Sequence, residues 1–174
     1  MVISVGTPQK DVIKEAPACR CRACSIGCEY GSGILVDDDL ENLAAFLGIS
    51  VECCIDTHLD RVEQFNKEFF RPKLACVKGK PYGRCTFFES AKGCTVHKAK
   101  PLQCKVSSGC NPSGAAISSW FVVNKLLDTD DPEAVRQYAS FLDGGGTLIE
   151  GGRLQDLVPD KKRLAAIRSY EILK

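Results

Sequence analysis

The sequence predicts an α+β fold: a small, loop-rich, cysteine-centred domain with short strands, packed with several helices. Three observations lead there. Eleven cysteines in 174 residues fall mostly into two blocks. Short extended segments broken by Gly and Pro separate the blocks, and amphipathic helical patterns follow the second. Residues 1–110 read as a cysteine-rich metal-binding region and 111–174 as a helical C-terminal region packed on it, together one structural domain. A hydrophobic content of 44% and a charged content of 26% are ordinary for a globular chain, so most of it is expected to be ordered.

The elements follow in order. Met1 to Pro17 is an irregular lead-in with a short strand expected at Val2 to Val5. The first block, Cys19-Arg20-Cys21-Arg22-Ala23-Cys24-Ser25-Ile26-Gly27-Cys28, is expected to form one tight loop. Gly31-Ser32-Gly33 marks a turn and Ile34 to Val36 an extended piece. Asp38 or Asp39 can cap a helix carrying Leu40, Leu43, Ala44 and Leu47, ended by Gly48. Ser50 can cap the next, which places Cys53 and Cys54 on a helix as small buried apolar residues rather than ligands.

The aromatic density from Phe65 to Phe70 reads as a packing edge, and Arg71-Pro72 as a break. Extended segments are expected at Leu74 to Val77, at Arg84 to Glu89 and from Cys94 to His97, with Pro101 holding the chain extended before Cys104. Beyond Cys110, Asn111-Pro112 and Asp131-Pro132 are N-cap and N1 pairs. They open helices with stripes Ile117, Trp120, Phe121, Leu127 or Leu126 and Val135, Tyr138, Ala139, Leu142. Gly144-Gly145-Gly146 stops the second. The glycines around Thr147 to Glu150 lack the Gly-Lys-Ser/Thr of a phosphate loop, so that stretch reads as a loop. Pro159-Asp160 opens a last helix.

Several function classes are excluded at this level. Apolar runs such as Trp120 to Val123 are far below the ~20 residues of a membrane helix. A net charge of +1 gives no electrostatic case for nucleic acid. No basic and apolar leader opens the chain, so a cytoplasmic location is expected. In that compartment clustered cysteines are metal ligands or redox groups more often than disulfides.

Cys21-x2-Cys24-x3-Cys28, with Cys19 two residues before, has the spacing of thiolate ligands to zinc or to an iron–sulfur cluster. His58 and His97 are too far apart for a Cys2His2 finger, and His97 reads as a surface or packing residue. No paired carboxylates or activated serine suggest catalysis, so the chain is not expected to be an enzyme. Arg20, Arg22, Lys98, Lys100 and Lys105 stand near the cysteines in sequence and can offset thiolate charge or meet an acidic partner.

Cys21-x2-Cys24-x2-Gly27-Cys28, Gly31, an acidic helix ending Leu47-Gly48-Ile49, Cys85-x-Phe87, Gly93-Cys94-x-Val96-His97 and Lys100-Pro101-x2-Cys104 occur in that order. Over residues 19 to 110 this pattern resembles the YkgJ-type family, described as zinc- or iron-chelating. The double cysteine of that family's signature is Gly27-Cys28 here. The resemblance implicates Cys21, Cys24, Cys28, Cys85, Cys94 and Cys104, with Cys19 or Cys110 standing in for the missing ligand. The leading expectation is one or two [4Fe–4S] clusters in an electron-transfer or accessory subunit with a protein partner. The alternative is Zn2+ in a structural interaction module.

Overall fold

The computed structural model describes residues 2–17, 19, 21–76 and 78–173. Met1 of the lead-in, Arg20 of the basic set and Val77 of the expected strand lie outside the described residues.

The helices are α1 (Gln9–Glu15), α2 (Arg22–Tyr30), α3 (Asp39–Leu47), α4 (Val51–His58), α5 (Leu102–Val106), α6 (Gly114–Phe121), α7 (Pro132–Asp143), α8 (Leu154–Leu157) and α9 (Lys161–Arg168). The strands are β1 (Leu59–Gln64), β2 (Lys67–Pro72), β3 (Leu74–Cys76), β4 (Gly83–Cys85), β5 (Phe88–Glu89) and β6 (Gly93–Cys94), paired β1 with β2, β3 with β4 and β5 with β6. The α+β class is therefore present, with the strands only as two-stranded pieces.

Two compact units divide the chain. One is Ala16–Val62 with Glu68–Gly114, the other Met1–Glu15 with Glu63–Lys67 and Ala115–Lys174. The first fifteen residues thus group with the C-terminal helices.

The cysteine-rich unit is built on a core of Leu35, Leu43, Ala44, Cys54, Leu59, Phe87, Phe88 and Val96. The local signals set its helices. Ser50 Oγ accepts the Cys53 N–H at 3.2 Å and starts α4. Gly48 ends α3 at φ 69°, a left-handed conformation that a β-carbon would penalise. Asp38 occupies the cap position of α3 without a side-chain cap bond. Asp39, 6% exposed, has another part: it accepts the N–H of Val36 at 3.1 Å and of Leu102 at 2.8 Å. One side chain so ties the start of α3 to the start of α5.

The packing edge holds at Phe69, which is buried, and at Phe70, which packs on the core, and three other local expectations are corrected. The dense aromatic stretch contains a β1–β2 hairpin turn at Phe65 and Asn66, φ 51° and 57°, matching the two positive angles of a two-residue hairpin connection. Arg84 to Glu89 is not one strand, because the chain turns at Thr86 and Phe87 between β4 and β5. The extended piece from Cys94 ends at once, and His97 begins a short 3-10 turn. Cys53 is exposed, while Cys54 beside it on α4 is buried as expected.

In the other unit Trp120 Nε1 donates to Thr7 O at 2.9 Å, which fixes the lead-in on α6. At the end of the cysteine-rich unit Asn111 Oδ1 accepts the Ser113 N–H, a local turn that delays the helix start to Gly114. After Phe121 the helix widens into a π-helical turn, Val122–Leu126. Asp131 and Asp160 cap α7 and α9 as their sequences predict. Arg136 of α7, 8% exposed, donates to the carbonyls of Ile167 and Ile172 at 3.0 and 2.8 Å and so closes the end of α9.

Candidate metal centre

Cys21 is the residue before α2, and Cys24 lies in its first turn. That end of the helix carries free N–H groups and partial positive charge, and no acidic side chain stands there to compete with a thiolate. Cys19 folds back so that its Sγ accepts the Cys21 N–H at 3.4 Å. The fourth sulfur comes from the far end of the unit. Gly109 runs so close to the Ala23 carbonyl that a β-carbon there would meet the carbonyl oxygen, and this approach delivers Cys110.

Cys24 Sγ and Cys110 Sγ are 3.5 Å apart, and Cys110 Sγ and Cys19 Sγ 3.6 Å. The sulfurs of Cys19, Cys21, Cys24 and Cys110 all lie within 4.8 Å of one another. Among the described residues this is the one set of three or more metal-ligating side chains so close together. Four thiols of this spacing are able to hold a metal ion.

The electrostatics of the group are uneven. The Ser108 hydroxyl, 3.5 Å from Cys24 Sγ, together with the Cys110 backbone and neighbouring thiols, lowers the Cys24 thiol from 9.0 to about 6. At Cys110 the same hydroxyl favours the thiolate, but the Cys24, Cys19 and Cys21 sulfurs oppose a second negative charge and hold it up at about 11. A cation at the centre would remove that conflict, since thiolates repelling one another are each attracted to it.

The remaining four predicted ligands are elsewhere. The expectation that Cys21, Cys24 and Cys28 share one tight loop is corrected by α2. On that helix Cys28 stands about one turn beyond Cys24, about 6 Å further along the axis. It lines a cavity of about 240 Å³ together with Cys85, Cys94 and Cys104. Packing of α2 on β4 brings Cys28 towards Cys85, and the β5–β6 register sets Cys94 opposite Phe88. Burial pushes the Cys85 thiol up to about 11 and the Cys104 thiol up to about 12, and raises Cys28 as well.

Of the basic residues expected near the ligands, Lys100 lines this cavity, and its charge favours the thiolates of Cys28 and Cys104. Arg22, Lys98 and Lys105 are exposed. His97 is exposed too, as its surface reading predicts. Sequence reasoning missed Ser108, Gly109 and Gly33. The run Ser107-Ser108-Gly109-Cys110, small and hydroxyl residues leading into a cysteine, was the available signal for the first two.

Comparison of the chain with protein-family models, with curated proteins and with solved structures finds no match.

Proposed function

We propose that this chain is a thiolate metalloprotein in which Cys19, Cys21, Cys24 and Cys110 hold one tetrahedrally coordinated ion, zinc before iron. The observation that carries this reading is the sulfur spacing. Four Zn–S bonds of about 2.3 Å in a tetrahedron put the sulfurs about 3.8 Å apart, close to the 3.5 and 3.6 Å separations within the group. A [4Fe–4S] cluster binds each thiolate to a different iron and spreads them wider.

Four protein ligands leave no open position for substrate, so the role of this ion is structural. It fastens the first and last segments of the cysteine-rich unit, 91 residues apart at Cys19 and Cys110. Closing so long a loop contributes metal-binding free energy directly to folding. The unit then serves as an accessory module for a protein partner in a thiol-preserving compartment. The YkgJ-type resemblance belongs to the same proposal.

An iron–sulfur protein passing electrons to a partner is the second reading. It is favoured by the other four cysteines and the Lys100 charge beside them.

The test is metal counting on protein purified without oxygen. One zinc per chain, lost in the Cys19→Ser/Cys110→Ser variant, is the expected result. Zinc content unaffected by that pair of substitutions would overturn the assignment.

A further inference from the structure

We infer that Cys28, Cys85, Cys94 and Cys104 form a second, separate thiolate centre that takes an iron–sulfur cluster. The inference does not depend on which ion occupies the first group.

The argument begins with the space. These four cysteines line one open pocket of about 240 Å³, which Cys24 also borders, and it has room for a ligand larger than a single ion. Their sulfurs are not drawn together within the 4.8 Å that gathers the first group. Four thiols that share a pocket without the close spacing of one tetrahedral site fit a ligand of several metal atoms.

The backbone is arranged for sulfur acceptors. The Phe87 N–H donates to Cys85 Sγ two residues earlier, and the Gly33 N–H donates to Cys104 Sγ. Hydrogen bonds of this kind offset charge on cluster thiolates and set their reduction potential. Gly33 has no substitute here: a β-carbon would collide with Cys104 Sγ and stand 3.1 Å from the Cys104 backbone nitrogen. Lys100 supplies a cation at the rim, and Pro72, Phe87, Phe88 and Val96 supply an apolar wall. These features come from four separate segments that meet only in the fold.

The fold gathers Cys19, Cys21, Cys24 and Cys110 in one set, while Cys28, one helical turn beyond Cys24 on α2, shares with Cys85, Cys94 and Cys104 a pocket that Cys24 also borders. The division cuts across the sequence block.

The experiment uses the full chain, purified without oxygen and reconstituted with ferrous iron and sulfide. Iron, acid-labile sulfide and zinc are counted on wild type, on Cys19→Ser/Cys110→Ser and on Cys94→Ser. About four iron and four sulfide per chain are expected in wild type and in the first variant, and at least a fivefold loss in the second with its zinc retained. Iron and sulfide unchanged in Cys94→Ser would overturn the centre, as would a wild type that takes only zinc. Zinc retained by Cys19→Ser/Cys110→Ser would instead count against the first group. Should Cys94→Ser not fold, alkylation of the wild type with mass spectrometry decides: Cys28, Cys85, Cys94 and Cys104 are expected to be protected until the cluster is broken by oxygen and chelator. Alkylation of these four at the same rate with and without iron and sulfide would overturn it.

Discussion

Cys24 Sγ and Cys110 Sγ lie 3.5 Å apart although 86 residues separate them in the chain. Ser108 stands between them as a shared hydrogen-bond neighbour, 3.5 Å from one sulfur and 3.6 Å from the other. Bringing the two thiols together lowers one and raises the other, so this contact sets both the acidity of the group and the ends of the unit that it joins.

The metal-free protein should show that asymmetry in its thiol reactivity. Thiolate, not thiol, reacts with an alkylating agent. Cys24 is expected to be half-reactive near pH 6, and Cys85 and Cys104 to stay unreactive until about pH 11 and 12. Labelling with iodoacetamide across pH, read by mass spectrometry, checks this; a common midpoint near the ordinary value of 9.0 would contradict it.

Stability of the metal-free protein should fall in alkali. Cys85 and Cys104 have raised folded-state values, so the unfolded chain releases their protons first. Their contribution is complete below pH 9 and is lost as pH rises from 9 towards 12. Cys24 has the opposite sign: its contribution is complete above pH 9 and is lost as pH falls through about 6. Urea denaturation at pH 7, 9 and 10.5 should give a falling midpoint over the last two, and metal loading should reverse the trend because binding expels those protons.

Two glycine substitutions should separate the two cysteine sets. Gly109→Ala puts a methyl into the Ala23 carbonyl and pushes Cys110 from Cys24, so zinc affinity should drop at least tenfold. Gly33→Ala presses on Cys104 and should lower iron and sulfide while sparing zinc. Equal losses of both metals in both variants would mean that the sets are not independent.

Asp39→Ala removes the one acceptor shared by the Val36 and Leu102 amides, both in buried backbone. Each orphaned donor costs about 1–3 kcal/mol, so a loss of about 2–4 kcal/mol is expected by denaturant titration. A change below about 1 kcal/mol would show that water replaces the carboxylate.

Arg136→Lys keeps the charge but loses the fork that reaches the Ile167 and Ile172 carbonyls and Glu133 together. A lysine offers one nitrogen to that geometry, and about 1–3 kcal/mol of stability should go. Thermal melting of the metal-loaded protein, which holds the other unit constant, provides the measurement.

Much of the local structure was legible because its causes are local. Ser50, Asp131 and Asp160 act within three residues, and Gly48 stops its helix by its own backbone freedom. Less local causes were harder to read. The hairpin turn at Phe65 and Asn66 lacks the usual glycine, and α2 was hidden because thiolate spacing suggested a loop where the residues also permit a helix. Asp39 stood in a run of three aspartates, and only burial distinguishes it from its neighbours.

By itself the sequence marked eight thiols, apart from Cys53, Cys54 and Cys76, as candidate ligands. Tertiary structure decided which of them meet: Cys19, Cys21, Cys24 and Cys110. Cys24 and Cys28 are four residues apart, and no rule of spacing assigns them to different groups. Their separation follows from the rise of a helix and from which distant segments pack at each turn, Gly109-Cys110 at one and the β4–α5 stretch at the other. Those are long-range contacts, set by the core as a whole and invisible in any short window of the chain.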